Sequence, residues 1–167
     1  MRRAHGTNVA IIETLPGDEG FRAFAELFDR YRVHYGQPAE PKRSEAWLIE
    51  ATTSGPMRAF LASVDAAPAG ICLVAICPAS LSLGEFWLVR DLYVEPQSRR
   101  VGVARALLDA VRVAATERGA GRLTLQTEDD NEAALRLYEG YGFRPTTGLR
   151  SLTLPLGSRA AGRSEAG

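Results

Sequence analysis

Lysine is almost missing from this chain: Lys42 is the only one, so nearly all of the positive charge sits on arginine. Cysteine and histidine are scarce too, at two each. Two cysteines cannot build a disulfide framework. Cys72 and Cys77 stand five apart in the apolar run "GICLVAIC", where a strand would turn them to opposite faces and keep them from bridging. His5 and His34 stand alone, so no spacing of metal ligands is present. No sign of charge prevails. Twenty basic and twenty acidic residues leave a formal net charge of zero, which removes the global field that draws a protein to nucleic acid or to a membrane surface. No apolar run is long enough to span a bilayer, and no leader pattern opens the chain. The expectation is a cytoplasmic protein that binds neither nucleic acid nor membrane.

What is present is a globular pattern. The 167 residues are 46% apolar, enough for one domain with a sizeable core. That domain is expected over 8–156, because "MRRAHGT" and "GSRAAGRSEAG" carry nothing to bury and read as flexible termini, 1–7 and 157–167. "NVAIIETL" reads as a first strand, stopped by Pro16 and Gly17, and Asp18 can cap the helix that follows. In that helix Phe21, Phe24, Ala25, Leu27 and Phe28 recur at helical spacing, with Tyr31 and Tyr35 extending the aromatic side. A second helix lies around 44–52. Three strands follow, "MRAFLASV", "AGICLVAIC" and "EFWLVRDLYV", and Pro96 closes the third. A helix after Arg100 carries Val103, Leu107, Ala110, Val111 and Ala114 on one stripe, and Gly119 and Gly121 end it. "RLTLQT" is a strand, Asn131 caps "NEAALRLYEGYGF", and "GLRSLTLPL" is a last strand, with one further short strand near Arg144. The order is β-α-α-β-β-β-α-β-α-β(β). The strand–helix–strand unit from Glu85 to Thr127 predicts two parallel neighbours.

The stretch "SRRVGVARALLDAVRVAA" raises a chemical question. It follows a strand and opens a helix, and a helix start presents free N–H groups and roughly half a positive charge. Gly102 and Ala104 keep side chains away from that backbone, while Arg99 and Arg100 add charge-assisted donors. A phosphate or pyrophosphate suits such a site. No Gly-Lys-Ser/Thr follows, and the three-glycine spacing of a dinucleotide fingerprint is absent.

"DLYVEPQSRRVGVARALL" resembles the acyl-CoA-binding motif of the GNAT superfamily of N-acetyltransferases, Arg/Gln-x-x-Gly-x-Gly/Ala, here Arg99, Gly102 and Ala104. "RLTLQTEDDNEAALRLYEGYGF" is similar to the second motif of that superfamily. Arg100 departs from the pattern, since many members carry glycine there. The resemblance implies an α/β protein with the acyl-CoA N-acyltransferase fold, a mixed central sheet of six to seven strands flanked by about four helices. It implies acetyl-CoA as acyl-donor cosubstrate. The backbone of Leu92, Tyr93 and Val94 would pair with the pantetheine arm. The N–H groups of Arg100, Val101, Gly102, Val103 and Ala104, with the side chain of Arg99 or Arg100, would hold the pyrophosphate. Asn131 would bond to the pantetheine, and the Tyr138 hydroxyl would lie near the sulfur.

The chemistry this implies has stated needs. An alkylammonium acceptor titrates near ~10 and must lose a proton before attack. A backbone N–H near Leu92 or Tyr93 could stabilise the negative charge on the acyl oxygen. Tyr138 can donate to the departing thiolate, or simply pack its ring in the core. Glu85, Trp87, Val89, Asp91 and Tyr93 point one way on their strand unless a bulge intervenes, which makes Glu85 and Asp91 candidate bases; a water chain would also serve. "DRYRVHYGQP" is similar to a subgroup that acts on small amines or amino acids. Tyr31, His34 and Tyr35, with Trp47, could line an amine site, because aromatic faces attract cations. "TEDD" could attract a cationic substrate or merely cap the next helix. The leading expectation is an acetyl-CoA-dependent N-acetyltransferase for the primary amine of a small molecule such as an amino acid or polyamine. The alternatives are a protein N-terminus as acceptor, or a non-catalytic acyl-CoA-binding module. The last strand could also pair or swap in a homodimer.

Overall fold

The computed structural model describes residues 8–148 and 150–156, so the termini expected to be flexible lie outside the described residues. Strand β1 (Val9–Thr14) leads into helices α1 (Glu19–His34) and α2 (Pro41–Thr53). Strands β2 (Met57–Val64), β3 (Ala67–Ala79) and β4 (Gly84–Val94) form an antiparallel meander that continues from β1. Helix α3 (Val103–Glu117) crosses over to β5 (Leu123–Leu125), which runs parallel to β4 as the strand–helix–strand pattern predicts. Helix α4 (Glu132–Tyr141) follows. The spatial strand order is β1-β2-β3-β4-β5. No helix among the described residues is long and apolar enough to cross a membrane.

Alternation along β2 and β3 feeds two cores. Ala59, Leu61, Ile71 and Leu73 face α1 and α2, where they meet Phe21, Phe24, Leu27 and Leu48. Phe60, Ala62, Cys72 and Val74 face α3 and meet Val103, Leu107, Leu108 and Val111. Both faces of the sheet are thus covered, which is why these strands read as continuous apolar runs. The two cysteines are free, with Cys72 buried and Cys77 half-buried. Helices α1 and α2 are fastened by Asp29, which accepts from Ser44 Oγ at 2.6 Å, from the Glu40 N–H at 3.1 Å and from Arg32 Nη1 at 3.1 Å. Burial alone would raise the pKa of Asp29, but these three donors outweigh it and hold the carboxyl below its usual value. Asp18 stands at the N-cap of α1 as expected, though its carboxylate accepts from the Leu15 N–H rather than from the helix.

Two expectations are corrected. First, the described residues hold five strands rather than six or seven. The strand expected at 148–156 is unpaired over its described residues, with Leu152, Leu154 and Leu156 at 90%, 81% and 83% exposure, and no strand forms near Arg144. Alternating leucines define a face, but a strand exists only where a ladder receives it. The available edge, β5, is three residues long and borders an open cavity of about 1420 Å³ lined in part by Leu123, Leu125, Leu135 and Tyr138. Pro145 and Pro155 also remove ladder donors.

Second, Glu85 and Asp91 do not share a face. Val74 pairs with Val89 and Leu73 with Asp91, so Arg90 is an extra residue on β4. That bulge reverses the alternation. Trp87 and Val89 pack in the α3 core, whereas Tyr93, which would share their face in a regular strand, packs against α1.

Candidate active site

Glu95 donates its N–H to Ala69 O on the β3 side, so alternation turns the backbone groups of Leu92 and Val94 to the opposite edge. That edge is open. β5 pairs with β4 only at Trp87, Leu88 and Val89, and β4 runs on alone to Val94. The same alternation turns the backbone groups of Tyr93, like those of Glu95, towards β3, so of the three residues whose backbone was expected at the pantetheine, Leu92 and Val94 face the open edge and Tyr93 does not. Gly70 lets this end close up. A Cβ there would stand 2.8 Å from Tyr93 O and 3.1 Å from Val103 Cγ1, so no larger residue fits between β3 and the start of α3.

The loop from β4 to α3 makes a cradle. A 3-10 turn over Pro96–Ser98 delivers Arg99, whose Nε donates to Val94 O at 3.1 Å and ties the loop to the open edge. Arg100 and Gly102 both have positive φ, +64° and +91°. The first backbone bond into α3 runs from the Ala106 N–H to Gly102 O, so the N–H groups of Arg100, Val101, Gly102, Val103 and Ala104 meet no backbone acceptor among the described residues. The buried Val103 side chain anchors the loop from below. The departure at Arg100 thereby gains a physical meaning, since left-handed backbone favours glycine. Arg100→Gly is expected to raise unfolding free energy by roughly 0.5–1 kcal/mol, the relieved strain less the added freedom of the unfolded chain. Urea denaturation checks this; an unchanged midpoint would mean that the arginine side chain compensates for the strain.

On the α1 face of β4, four rings close a circuit. Centroids lie 5.0 Å apart for Tyr31–Tyr35, 5.4 Å for Tyr35–His34, 6.0 Å for His34–Tyr93 and 5.9 Å for Tyr93–Tyr31. Helical spacing brings Tyr31, His34 and Tyr35 to one side of α1. The bulge brings Tyr93 to them, and Asp91 with it. The Tyr31 hydroxyl donates to Asp91 Oδ1 at 2.8 Å. Burial raises the pKa of Asp91 above its ordinary value, although the bond from Tyr31 and the charge of Arg90 oppose this. Burial and the Asp91 carboxylate push the Tyr31 hydroxyl well up. Trp47 stays apart: it stacks on Phe28 at 5.7 Å and 5°, outside the four-ring circuit.

Glu85 belongs to another neighbourhood. Six residues before Asp91, about 20 Å along the strand, it accepts from Arg118 Nε at 3.2 Å and Trp87 Nε1 at 3.0 Å. The bonds from Arg118 and Trp87 hold its carboxyl below the usual range. Asn131 caps α4, with Oδ1 accepting from the Ala134 N–H at 3.2 Å, which leaves the side-chain amide nitrogen as a donor. Tyr138 is half-buried against Phe143, edge-on at 5.8 Å. Burial pushes its hydroxyl up to about 12, with Cys72, Tyr35 and Glu128 acting in the same direction.

The sequence reading missed the Tyr93 ring as a member of the aromatic circuit, because only the bulge turns it there. It gave Cys72 no place near the site. Cys72 sits opposite Leu92 across β3 and β4, and burial, with the charge of Asp91, pushes its thiol well up. An apolar run in the sequence carries no sign of that position.

A family model described as "Acetyltransferase (GNAT) family" matches residues 21–143. The N-acetyltransferase YhfO of Bacillus subtilis (strain 168), itself uncharacterized, is 32% identical over 127 residues, covering 76% of this chain and 85% of that protein. The thialysine N-epsilon-acetyltransferase of Caenorhabditis elegans is 35% identical over 80 residues, 48% of this chain and 49% of its own. A crystal structure of a probable acetyltransferase superposes with a TM-score of 0.82 at 32% identity, covering 89% of this chain and 98% of that one.

Proposed function

The chain belongs to the GNAT family of acetyltransferases, and on that premise we propose that it moves an acetyl group from acetyl-CoA to the primary amine of a small molecule. The observation that carries this reading is the open edge of β4, with a half-buried carboxylate and four aromatic rings on its α1 side. Tyr138 of α4 packs on the α3 side and lines the cavity beside β5, and the charges of Tyr35 and Glu128 act on its hydroxyl. The relative named for a thialysine side-chain amine supports a small amine as acceptor.

The residues present fit acetyl-CoA. The N–H groups of Arg100 to Ala104 form a cluster of donors without backbone acceptors at a helix start, which suits a pyrophosphate. A side chain at Gly102 would meet nothing within 4 Å, so the approach to that backbone is open. Arg99 and Arg100 supply positive charge. The free groups of Leu92 and the Val94 N–H can pair with the amides of a pantetheine arm, and the Asn131 amide nitrogen can donate to it. When bound, acetyl-CoA supplies the activated acyl carbon. The work of the chain is then to hold the amine among Tyr31, His34, Tyr35 and Tyr93, whose faces attract a cation. Asp91 takes a proton from the ammonium, freeing the nitrogen lone pair for the new C–N bond, and the second proton that the nitrogen sheds as the amide forms passes to solvent. The Leu92 N–H meets the charge that develops on the acyl oxygen. As the C–S bond breaks, Tyr138 donates to the sulfur. Asp91 in this reading is the base, and Glu85 is not, because its oxygens are engaged by Arg118 and Trp87 on the other face.

The test is a melting-temperature series with acetyl-CoA, CoA, ATP and NAD added separately. Acetyl-CoA or CoA at 100 times its dissociation constant should stabilise the fold by about 2.7 kcal/mol, a rise of several degrees for a domain of this size. An amine panel with free-thiol detection then reads the acceptor. No rise at millimolar acetyl-CoA would sink the reading of the 99–104 loop.

A further inference from the structure

We propose that Tyr31 is a positioning residue for the transfer reaction: its hydroxyl fixes one oxygen of Asp91, so that the other is presented to the acceptor amine. This rests on the reading of Asp91 as base, and it gives Tyr31 a second task beyond lining the amine site.

The geometry is specific. The 2.8 Å bond from Tyr31 is the one hydrogen bond that the Asp91 carboxylate receives among the described residues, and it engages Oδ1 alone. Asp91 forms no ion pair there either, although Arg90 is its neighbour on β4. The aim of the hydroxyl is held by packing. The Tyr31 ring touches Phe28 at 6.1 Å, Tyr35 at 5.0 Å and Tyr93 at 5.9 Å, so three rings from two elements lock its rotamer. A neutral donor suits this task. An arginine paired to Asp91 would hold the carboxylate as a weak base, whereas a phenol orients it and leaves it able to take a proton. The ionisable groups that bear on Asp91 or feel its charge are Tyr31, Tyr35, Cys72 of β3 and Arg90 of β4, His34 and Tyr93 complete the ring circuit beside it, and the charge of Glu128 acts on Tyr31 and Tyr35.

The first measurement needs no acceptor, and the second uses the amine found by the panel above. In full-length protein carrying aspartate labelled with carbon-13 at Cγ, the Asp91 resonance is recognised by its loss in Asp91→Asn, and its titration is followed by NMR. Tyr31→Phe removes a donor to the charged form, so the midpoint should rise by about one pH unit. Replacing Tyr31 with 3-fluorotyrosine, a stronger donor of nearly the same shape, should lower it. This opposite shift also guards against misreading a poorly folded phenylalanine variant. A midpoint that stays within 0.2 unit (about 0.3 kcal/mol) in both variants would overturn the proposal. The acidic limb of the acetylation rate is then measured on the same proteins. If it moves with the NMR midpoint, the proposal stands. If the midpoint moves and the limb does not, Asp91 is not the base, and the positioning role falls with that reading even though the loop and cofactor assignments survive.

Discussion

Tyr138→Phe is expected to lower kcat by about 100-fold or more, with the KM for acetyl-CoA changed only a few-fold. The magnitude follows from general acid assistance, which contributes about 10²–10⁴-fold, so the lower bound corresponds to about 2.7 kcal/mol of barrier. The pKa says how the assistance works. Burial lifts the Tyr138 hydroxyl to about 12, while a thiol titrates near ~8.5. Complete transfer to the thiolate is therefore uphill by about 4–5 kcal/mol. The hydroxyl acts chiefly as a hydrogen-bond donor while charge gathers on sulfur, and solvent completes the protonation. The same value means that Tyr138 stays protonated throughout the working range. Tyr138 should thus cause no fall in kcat on the alkaline side up to about pH 10. Rates over pH 6–10 for both proteins check the two statements together. Wild-type turnover in the phenylalanine variant would leave the ring a packing role and nothing more.

Asp91→Asn is expected to lower kcat/KM by about 100-fold or more near pH 7. The deficit should shrink as the pH approaches the acceptor's own value near ~10, where free amine is abundant without help. Stability should move the other way. Burial raises the pKa of Asp91 in the folded protein. An acid with a raised folded pKa lends stability at low pH. That stability is lost as pH rises from the unfolded value, near ~3.9, through the folded one. At pH 7 the ionised side chain therefore costs stability, and asparagine, which is uncharged, should keep or raise the melting temperature. Lost activity with an equal or higher melting temperature marks a residue kept for chemistry. Lost activity with a large fall in melting temperature would instead mark Asp91 as a structural group of the β3–β4 pair.

Much of the chain is legible because its signals are local. The stripe of Val103, Leu107 and Val111 needs only the helical period, and α3 forms over Val103–Glu117. Asn131 caps α4 through a bond to a residue three positions on. The parallel pairing of β4 and β5 follows from the handedness of a strand–helix–strand crossover. The loop proposed to hold a pyrophosphate was readable for the same reason: a strand end, an unhindered backbone and a helix start are adjacent in sequence.

What failed was whatever depended on a distant partner. Glu85 and Asp91 look equivalent on "GEFWLVRDLYV", and a strand of period two would put them on one face. The extra residue at Arg90 shows only in the register against Leu73 and Val74 of β3. "GLRSLTLPL" has the alternation of a strand, yet no ladder receives its described residues. The sequence by itself determined the helices, the central strands, the unhindered backbone before α3 and the family that these motifs mark. Tertiary structure decided which carboxylate meets the aromatic rings, which backbone groups of β4 stay open and which expected strand goes unpaired. The physical reason is the same in each case. Periodicity, caps and turns are set by interactions within about four residues, whereas the face and edge of a strand are set by the neighbours it pairs with, which here lie as far apart in the chain as Val9 and Val64.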